Sequence, residues 1–314
     1  MMNLRKVLWS AVLWVVASAT VAQAATSAYW RFEDLPDGSL VPAGNNTVPD
    51  SSGNNSPLQT FDPTFTSPSY SSLVSPLPLR SGLPNTRSLD FGPGGDDAGL
   101  NDDIFTTADK SISAKLFNAV TVEVAFRMDS IGGFQAILGK DGKPLGDAPG
   151  EDDSPIPPFK ISVRGDDFPN AVPNQLFVEW IDGDATLSSD DHFLASGQTV
   201  VANKWYHVAV TINATDASLY IAGETGPYQL LDHSTGDYAG PSGNVIAAEP
   251  LGWTVGRGAY NNNPADWADA HIDEVRISDT VLTPNQFLFV AVPEPSSAAL
   301  CVVGMLGVLG RRRK

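Results

Sequence analysis

The stretch Val120–Met128 constrains the fold of this chain more than any other segment. Its five apolar residues occupy every second position, and Thr121, Glu123 and Arg127 fall between them. Successive side chains of a strand point to opposite faces, so this alternation predicts a half-buried antiparallel strand with those three polar residues on the exposed face. Burying an apolar side chain contributes roughly 1.5–3 kcal/mol before entropy is counted, so the five together define the register.

The central chain repeats this β-rich character, and it contains no long segment with the period of an amphipathic helix. Nine further segments combine β-branched and aromatic residues between turn-rich stretches. These predicted strands are Tyr29–Phe32, Ser88–Phe91, Phe134–Gly139, Phe159–Val163, Gln175–Ile181, Trp205–Ile212, Ser218–Ala222, Trp253–Gly256 and Ile272–Ile277. The turn at 213–217 predicts a hairpin between Trp205–Ile212 and Ser218–Ala222. Ten strands with almost no helix predict an all-β fold, a two-sheet antiparallel jelly-roll sandwich.

The composition of the segment Leu35–Pro84 differs from that of the strands. It is rich in Pro, Ser, Gly and Asn, which predicts long surface loops or a partly disordered stretch. No linker divides the rest, so residues 25–290 are predicted to form one domain.

Both ends of the chain carry the features of removable signals. Arg5 and Lys6 precede an apolar run over 7–16, and small residues follow up to Ala24. This pattern predicts a secretory signal peptide, residues 1–24, cleaved after Ala24. At the other end, residues 291–314 contain an apolar helix predicted over 296–310 and a basic end, Arg311 to Lys314. Its apolar stretch is short for a permanent span, and the basic cluster is expected to stay cytoplasmic.

The C-terminal segment resembles the bacterial PEP-CTERM sorting signal. It has the Pro-Glu-Pro motif, the short apolar helix and the Arg-rich end in that order, and the motif itself is Val292, Pro293, Glu294 and Pro295. The resemblance implies an exosortase as partner, transient attachment to the membrane through the tail, and delivery to the cell surface or extracellular matrix.

The charge and cysteine content fit an exported product. The two end signals contain six of the 19 Lys and Arg residues but only one of the 36 Asp and Glu residues, Glu294. The chain between them therefore has 13 basic and 35 acidic residues, a net charge of −22. Such a domain is not expected to bind nucleic acid or anionic lipid through its net field. Cys301 lies in the tail, so the mature domain is predicted to contain no disulfide.

Four stretches, taken in order, resemble the bacterial laminin G-like or concanavalin A-like jelly rolls. They are residues 28–34 with 50–55, 120–127, 204–211 with 219–223, and 272–278. The resemblance implies a concanavalin A-like sandwich over nearly the whole mature chain. It also implies a structural Ca²⁺ between the first-strand region and the last strand, with Glu33, Asp50, Asn55 and Asp273 at the matching positions. Alternatively, Asp50 and Asn55 only build a turn through Asx-type hydrogen bonds.

Three aromatic residues in Asn- and Asp-rich loops, Tyr238, Tyr260 and Trp267, are candidates for a platform that binds a polysaccharide. The alternative is that they cap the core, because large aromatic side chains bury well. Catalytic patterns are missing from the sequence: it has neither the Glu-x-Asp-x-x-Glu string of laminarinases nor a Gly-x-Ser-x-Gly elbow. His207, within a strand, is interpreted as structural.

These observations predict a non-enzymatic, surface-sorted binding or adhesion domain associated with carbohydrate or extracellular matrix. The alternatives are a structural matrix protein without a specific ligand and a glycoside-active enzyme, because a fold by itself does not determine function.

Overall fold

The computed structural model describes residues 26–60, 67–92, 104–142, 157–165, 172–183, 191–239, 242–247, 251–260 and 263–290. The strands, in chain order, are β1 Thr26–Trp30, β2 Gly44–Val48, β3 Leu58–Thr60, β4 Ser69–Ser71, β5 Ser88–Phe91, β6 Ile104–Phe105, β7 Val120–Met128, β8 Phe134–Lys140, β9 Phe159–Arg164, β10 Gln175–Ile181, β11 Asp191–Thr199, β12 Trp205–Ile212, β13 Asp216–Ala222, β14 Gln229–Thr235, β15 Trp253–Val255, β16 Gly258–Tyr260, β17 Asn263–Ala265 and β18 Ala270–Ser278. A 3₁₀ helix spans Pro284–Gln286. Within these ranges no helix has the length and apolar character required to cross a bilayer.

The strands form two antiparallel sheets of eight strands each and one separate hairpin, β16–β17. Sheet I has the order β14-β13-β12-β7-β18-β5-β4, with β1 also paired to β18. Sheet II has the order β11-β10-β9-β8-β15-β6-β3-β2. The predicted all-β, two-sheet sandwich is therefore confirmed. The signal helix and the apolar tail helix that were predicted to flank it lie outside the described residues.

The core lies between the two sheets, where Trp30, Trp180 and Trp253 are fully buried. The five alternate residues of β7 belong to this core, as predicted. The opposite face of β7 is different from the prediction, because Thr121 and Glu123 are buried rather than exposed. Two segments that cross the outer face of sheet I explain the difference.

One of these segments is the C-terminal strap, residues 280–290, and the other is the stretch 73–84. They meet in an antiparallel bridge between Leu79 and Phe289, and the Val290 N–H donates to the Pro78 carbonyl at 2.9 Å. Leu77, Leu79, Leu288 and Phe289 pack with Trp205 into a second, smaller apolar cluster. The part of the outer face of sheet I beneath these two segments is therefore a second buried layer.

The segment Leu35–Pro84, predicted as loops, also contributes the short strands β2, β3 and β4. The strand predicted over Tyr29–Phe32 instead begins at Thr26 and ends at Trp30. Phe32 adopts a φ of 59°, which extended strands do not tolerate, so the chain turns there. The hairpin between β12 and β13 is confirmed, with His207 paired to Ala222 and Ile212 to Ala217.

Candidate functional site

The four predicted calcium ligands lie in separate hydrogen-bonded environments, and the three carboxylates among them do not form one group within 4.8 Å. Both carboxylate oxygens of Asp50 accept hydrogen bonds, three from its own turn and one from β1. Oδ1 accepts from the Tyr29 amide of β1 at 3.0 Å and from the Ser52 amide at 2.8 Å, and Oδ2 accepts from the Ser52 hydroxyl at 2.8 Å and the Ser56 amide at 3.0 Å. Asn55 adopts a left-handed conformation, with φ 55°, in the same turn. These contacts match the alternative in which Asp50 and Asn55 build a turn.

Glu33 and Asp273 are likewise held by nearby donors. Glu33 accepts from the Thr86 amide at 2.6 Å and the Arg87 amide at 3.2 Å. Asp273 is fully buried at the bulge of β18 and accepts from the Asn85 amide group at 2.7 Å. Its other oxygen, Oδ1, has no hydrogen-bond partner in the described chain.

Burial raises the pKa of Asp273 well above its usual value, and the charge of Glu274 acts in the same direction. An orphan oxygen of this kind suits a cation, but the described carboxylates of Glu33, Asp50 and Asp273 do not form a group within 4.8 Å. Calcium binding stays a prediction that rests on Asp273.

The three aromatic candidates are placed in different environments. Tyr238 is only 3% exposed and packs against Trp180 and His192, so it caps the core and its ring is not available as a platform. Tyr260 is 51% exposed at the end of β16. Trp267 is half-buried in the loop between β17 and β18.

The hairpin that carries Tyr260 borders the outer face of sheet II. A Cβ atom on Gly258 would lie 2.7 Å from Cδ of Lys160 and 2.9 Å from Cβ of Ala136, so the hairpin backbone rests directly on β8 and β9. Glycine is required at this close approach, because any side chain there would push the hairpin off the sheet. The hairpin thereby forms one wall beside this face.

Four buried side chains of charged residue types lie beside this hairpin: Lys160, Arg164, Glu179 and Asp266, here called the charged face of sheet II. Lys160 Nζ lies 2.9 Å from Asp266 Oδ2 and 3.4 Å from Glu179 Oε2, and Arg164 pairs with the other Glu179 oxygen. They share one face because β9 alternates: Phe159, Ile161 and Val163 point into the core. Glu179 is thus held between two cations.

Aromatic rings continue the charged face toward the edge of sheet II. The Arg164 guanidinium lies 3.9 Å from the ring centroid of Phe177, and Phe177 stacks on Phe193 with centroids 5.3 Å apart. Phe193 is 64% exposed and is paired across the strands with Glu179. Sequence analysis missed Phe193, although an apolar residue directly before the core residue Leu194 is out of phase with the buried pattern.

His207 has the structural role that the sequence suggested. Its ring is fully buried, stacks on Phe289 with centroids 4.2 Å apart, and shares a short hydrogen bond with the Ser75 hydroxyl. Burial lowers the pKa of His207 to about 3, so the ring is neutral at physiological pH.

The family model for the concanavalin A-like lectin/glucanases superfamily matches residues 99–287. No curated protein matches the chain in sequence. Among solved structures, domain 4 of AbnA, an extracellular GH43 arabinanase from Geobacillus stearothermophilus, in complex with arabinotriose, is similar at 14% identity and a TM-score of 0.48, covering 84% of this chain and 97% of that one.

Two further similar structures are the ligand-binding domain of botulinum neurotoxin serotype D with N-acetylneuraminic acid and the CBM40 of the IT-sialidase of Ruminococcus gnavus bound to α2,3-sialyllactose. The first has 13% identity and a TM-score of 0.45, with 83% of this chain and 49% of that chain covered. The second has 12% identity and a TM-score of 0.40, with 62% and 91% covered. Identities and TM-scores this low give these likenesses no weight for ligand or site.

Proposed function

Because this chain belongs to the concanavalin A-like lectin/glucanases superfamily, we propose that it is a non-enzymatic carbohydrate-binding domain that works outside the cell. The observation that carries the proposal is the exposed ring of Phe193 beside the charged face of sheet II. A flat exposed ring offers an apolar surface on which a sugar ring can stack.

The ion pairs of Glu179 support binding rather than catalysis. A glycosidase needs one carboxyl group that delivers a proton and a second that attacks or activates water. Both oxygens of Glu179 face cations, and Asp266 is engaged by the same Lys160. This arrangement favours fixed hydrogen-bonding groups over a proton donor.

The charge of the domain narrows the class of glycan. With 13 basic and 35 acidic residues between the two end signals, the domain repels polyanions. We therefore expect neutral polysaccharides to bind in preference to acidic ones at low ionic strength, where screening is weakest.

We expect Phe193→Ala to weaken binding to a neutral polysaccharide by roughly 30-fold, the factor for loss of a 2 kcal/mol aromatic anchor. Affinity electrophoresis against a panel of neutral and acidic polysaccharides identifies the ligand, and titration calorimetry then measures the variant. Leu116→Ala is the matched control, because Leu116 is 56% exposed in the loop before β7.

Unchanged binding of Phe193→Ala would contradict this site. Tyr260→Ala and Trp267→Ala then show whether the hairpin side binds the sugar instead. If the unmodified chain is retained by none of the polysaccharides, the matrix protein without a specific ligand is favoured. Release of reducing ends from the panel would favour the glycoside-active enzyme.

We also propose that the domain reaches the cell surface through its two end signals and an exosortase. Support comes from the sequence alone, because residues 1–25 and 291–314 lie outside the described residues. The mature chain is expected to begin at Ala25 and to lack Arg311–Lys314, which intact-mass measurement of the secreted product tests. A product that retains the basic end would contradict removal of the tail.

A further inference from the structure

A second group of ligand-type side chains lies on the outer face of sheet I, away from the charged face of sheet II. Asp90, Asp129 and His271 place one carboxylate oxygen each and an imidazole nitrogen within 4.8 Å of one another. His271 is paired across the strands with Asp90 of β5 on one side and with Arg127 of β7 on the other. Asp129 follows β7 directly and shares its face with Arg127.

We propose that Asp90, Asp129 and His271 bind one divalent transition-metal ion of the Zn²⁺ type. Imidazole nitrogen with carboxylate oxygen is a ligand set that suits Zn²⁺, whereas Ca²⁺ takes oxygen ligands. This site is independent of the proposed carbohydrate-binding function and of the calcium prediction. Water is expected to complete the coordination, since three protein ligands leave a fourth tetrahedral position open.

The observed separations are close to those that a bound ion requires. Ligand atoms about 2.0–2.2 Å from a tetrahedral Zn²⁺ lie roughly 3.3 Å from one another. His271 Nε2 is 3.2 Å from Asp129 Oδ2 and 3.9 Å from Asp90 Oδ1. Only Asp90 has to move closer, and its side chain, 38% exposed, has the freedom to do so.

The three ligands are held to different degrees. His271 is 7% exposed and directs Nε2 at the two carboxylates, while its Nδ1 has no partner in the described chain. Arg127 pairs with Asp129 through Oδ1, which leaves Oδ2 for the metal. Arg127 is in turn held by the Asn203 side-chain oxygen. Such outer contacts orient a ligating carboxylate.

The local charge also favours a cation. The carboxylates of Asp90 and Asp129 meet at His271, and Arg127 pairs with Asp129. Two carboxylates this close repel each other, so a divalent ion bound between them relieves their repulsion.

The alternative is a plain hydrogen-bonded cluster in which His271 donates to Asp129 without metal. The two interpretations differ in one measurable property: only the metal site binds Zn²⁺ with a defined stoichiometry that depends on all three residues.

The test is a calorimetric titration of the untagged, chelator-stripped full chain with Zn²⁺. We expect one Zn²⁺ per chain and at least ten-fold weaker binding in His271→Ala and in Asp90→Asn. His233→Ala is the matched control: His233 Nε2 lies 3.5 Å from Asp216 Oδ1 on the same sheet, the described residues add no third ligand-type side chain there, and binding should be unchanged.

Two further measurements keep the outcomes distinct. Thermal melts without metal show whether His271→Ala folds. If His271→Ala does not fold, the Zn²⁺ affinity of Asp90→Asn, which alters a partly exposed side chain, tests the proposal instead. A ligand-field spectrum with Co²⁺ that is lost in Asp90→Asn reports ligation directly. The proposal would be overturned if the unmodified chain took up no Zn²⁺, if both variants bound Zn²⁺ as tightly as the unmodified chain, or if equimolar Ca²⁺ displaced Zn²⁺.

Discussion

Replacement of Glu123 by alanine is expected to lower the free energy of unfolding by about 3–5 kcal/mol, because it leaves the positive charge of Arg276 without its partner beneath the C-terminal strap. Glu123 is 1% exposed on the outer face of β7. Its Oε1 accepts from the Leu288 amide at 2.6 Å and its Oε2 from Arg276 Nε at 2.6 Å. Arg276 in turn donates to the Gln286 carbonyl at 2.8 Å. The Glu123 carboxylate thus holds the C-terminal strap at two points, directly at Leu288 and through Arg276 at Gln286.

Urea denaturation measures the loss, and amide hydrogen exchange identifies where it acts. In Glu123→Ala the amides of Arg80, Leu288 and Val290 should exchange faster than those of β12, because opening of the strap becomes a local event. Glu123→Gln is the control: it keeps an acceptor for the Leu288 amide and should lose less. A loss below 1 kcal/mol in the alanine variant, with unchanged exchange in the strap, would show that Glu123 does not hold it.

The second large effect is a dependence of stability on pH that comes from Glu274. This side chain is fully buried at the bulge of β18, bonded to the Tyr29 hydroxyl and paired with Arg31 at 3.1 Å. Burial raises the pKa of Glu274 from 4.5 to about 7, and Glu33 acts in the same direction, although Tyr29 and Arg31 oppose the shift.

The sign follows from linkage. The native state holds the proton of Glu274 more tightly than the unfolded state, so this contribution to stability is fully present below pH 4.5 and is lost as pH rises through about 7. Between pH 8 and 4.5 the change amounts to about 3 kcal/mol, at 1.36 kcal/mol per pKa unit. His207 works in the opposite direction, because its pKa of about 3 makes protonation below pH 6.5 unfavourable in the folded state.

A comparison of variants isolates the contribution of Glu274. Urea denaturation at several pH values should show that Glu274→Gln, relative to the unmodified chain, loses about 3 kcal/mol of the stability that acidification otherwise adds. Glu224→Gln, in the turn after β13, serves as the control for removal of a carboxylate. Parallel pH profiles of Glu274→Gln and the unmodified chain would refute the role of Glu274.

The periodic strands of the core were predictable from the sequence. In β7 the apolar residues recur at every second position, and in β9, β10 and β12 runs of β-branched and aromatic residues are bounded by turn signals. Edge strands were not predictable to the same degree. β11 and β14 close the two sheets and keep many residues exposed, so a polar sequence satisfies them and the alternation disappears.

The sequence by itself determined the class of fold, because a period of two sustained over several segments leaves few alternatives to a sandwich of sheets. Only the tertiary structure decided which polar residues are buried and which groups meet. The alternation of β7 places Glu123 on the exposed face, but in the folded chain the C-terminal strap covers it. Phe193 lies beside the charged face because β11 pairs with β10. His271 joins Asp90 and Asp129 because β18 lies between β5 and β7. The physical reason is that residues distant along the chain meet by strand register, which periodicity within each strand does not encode.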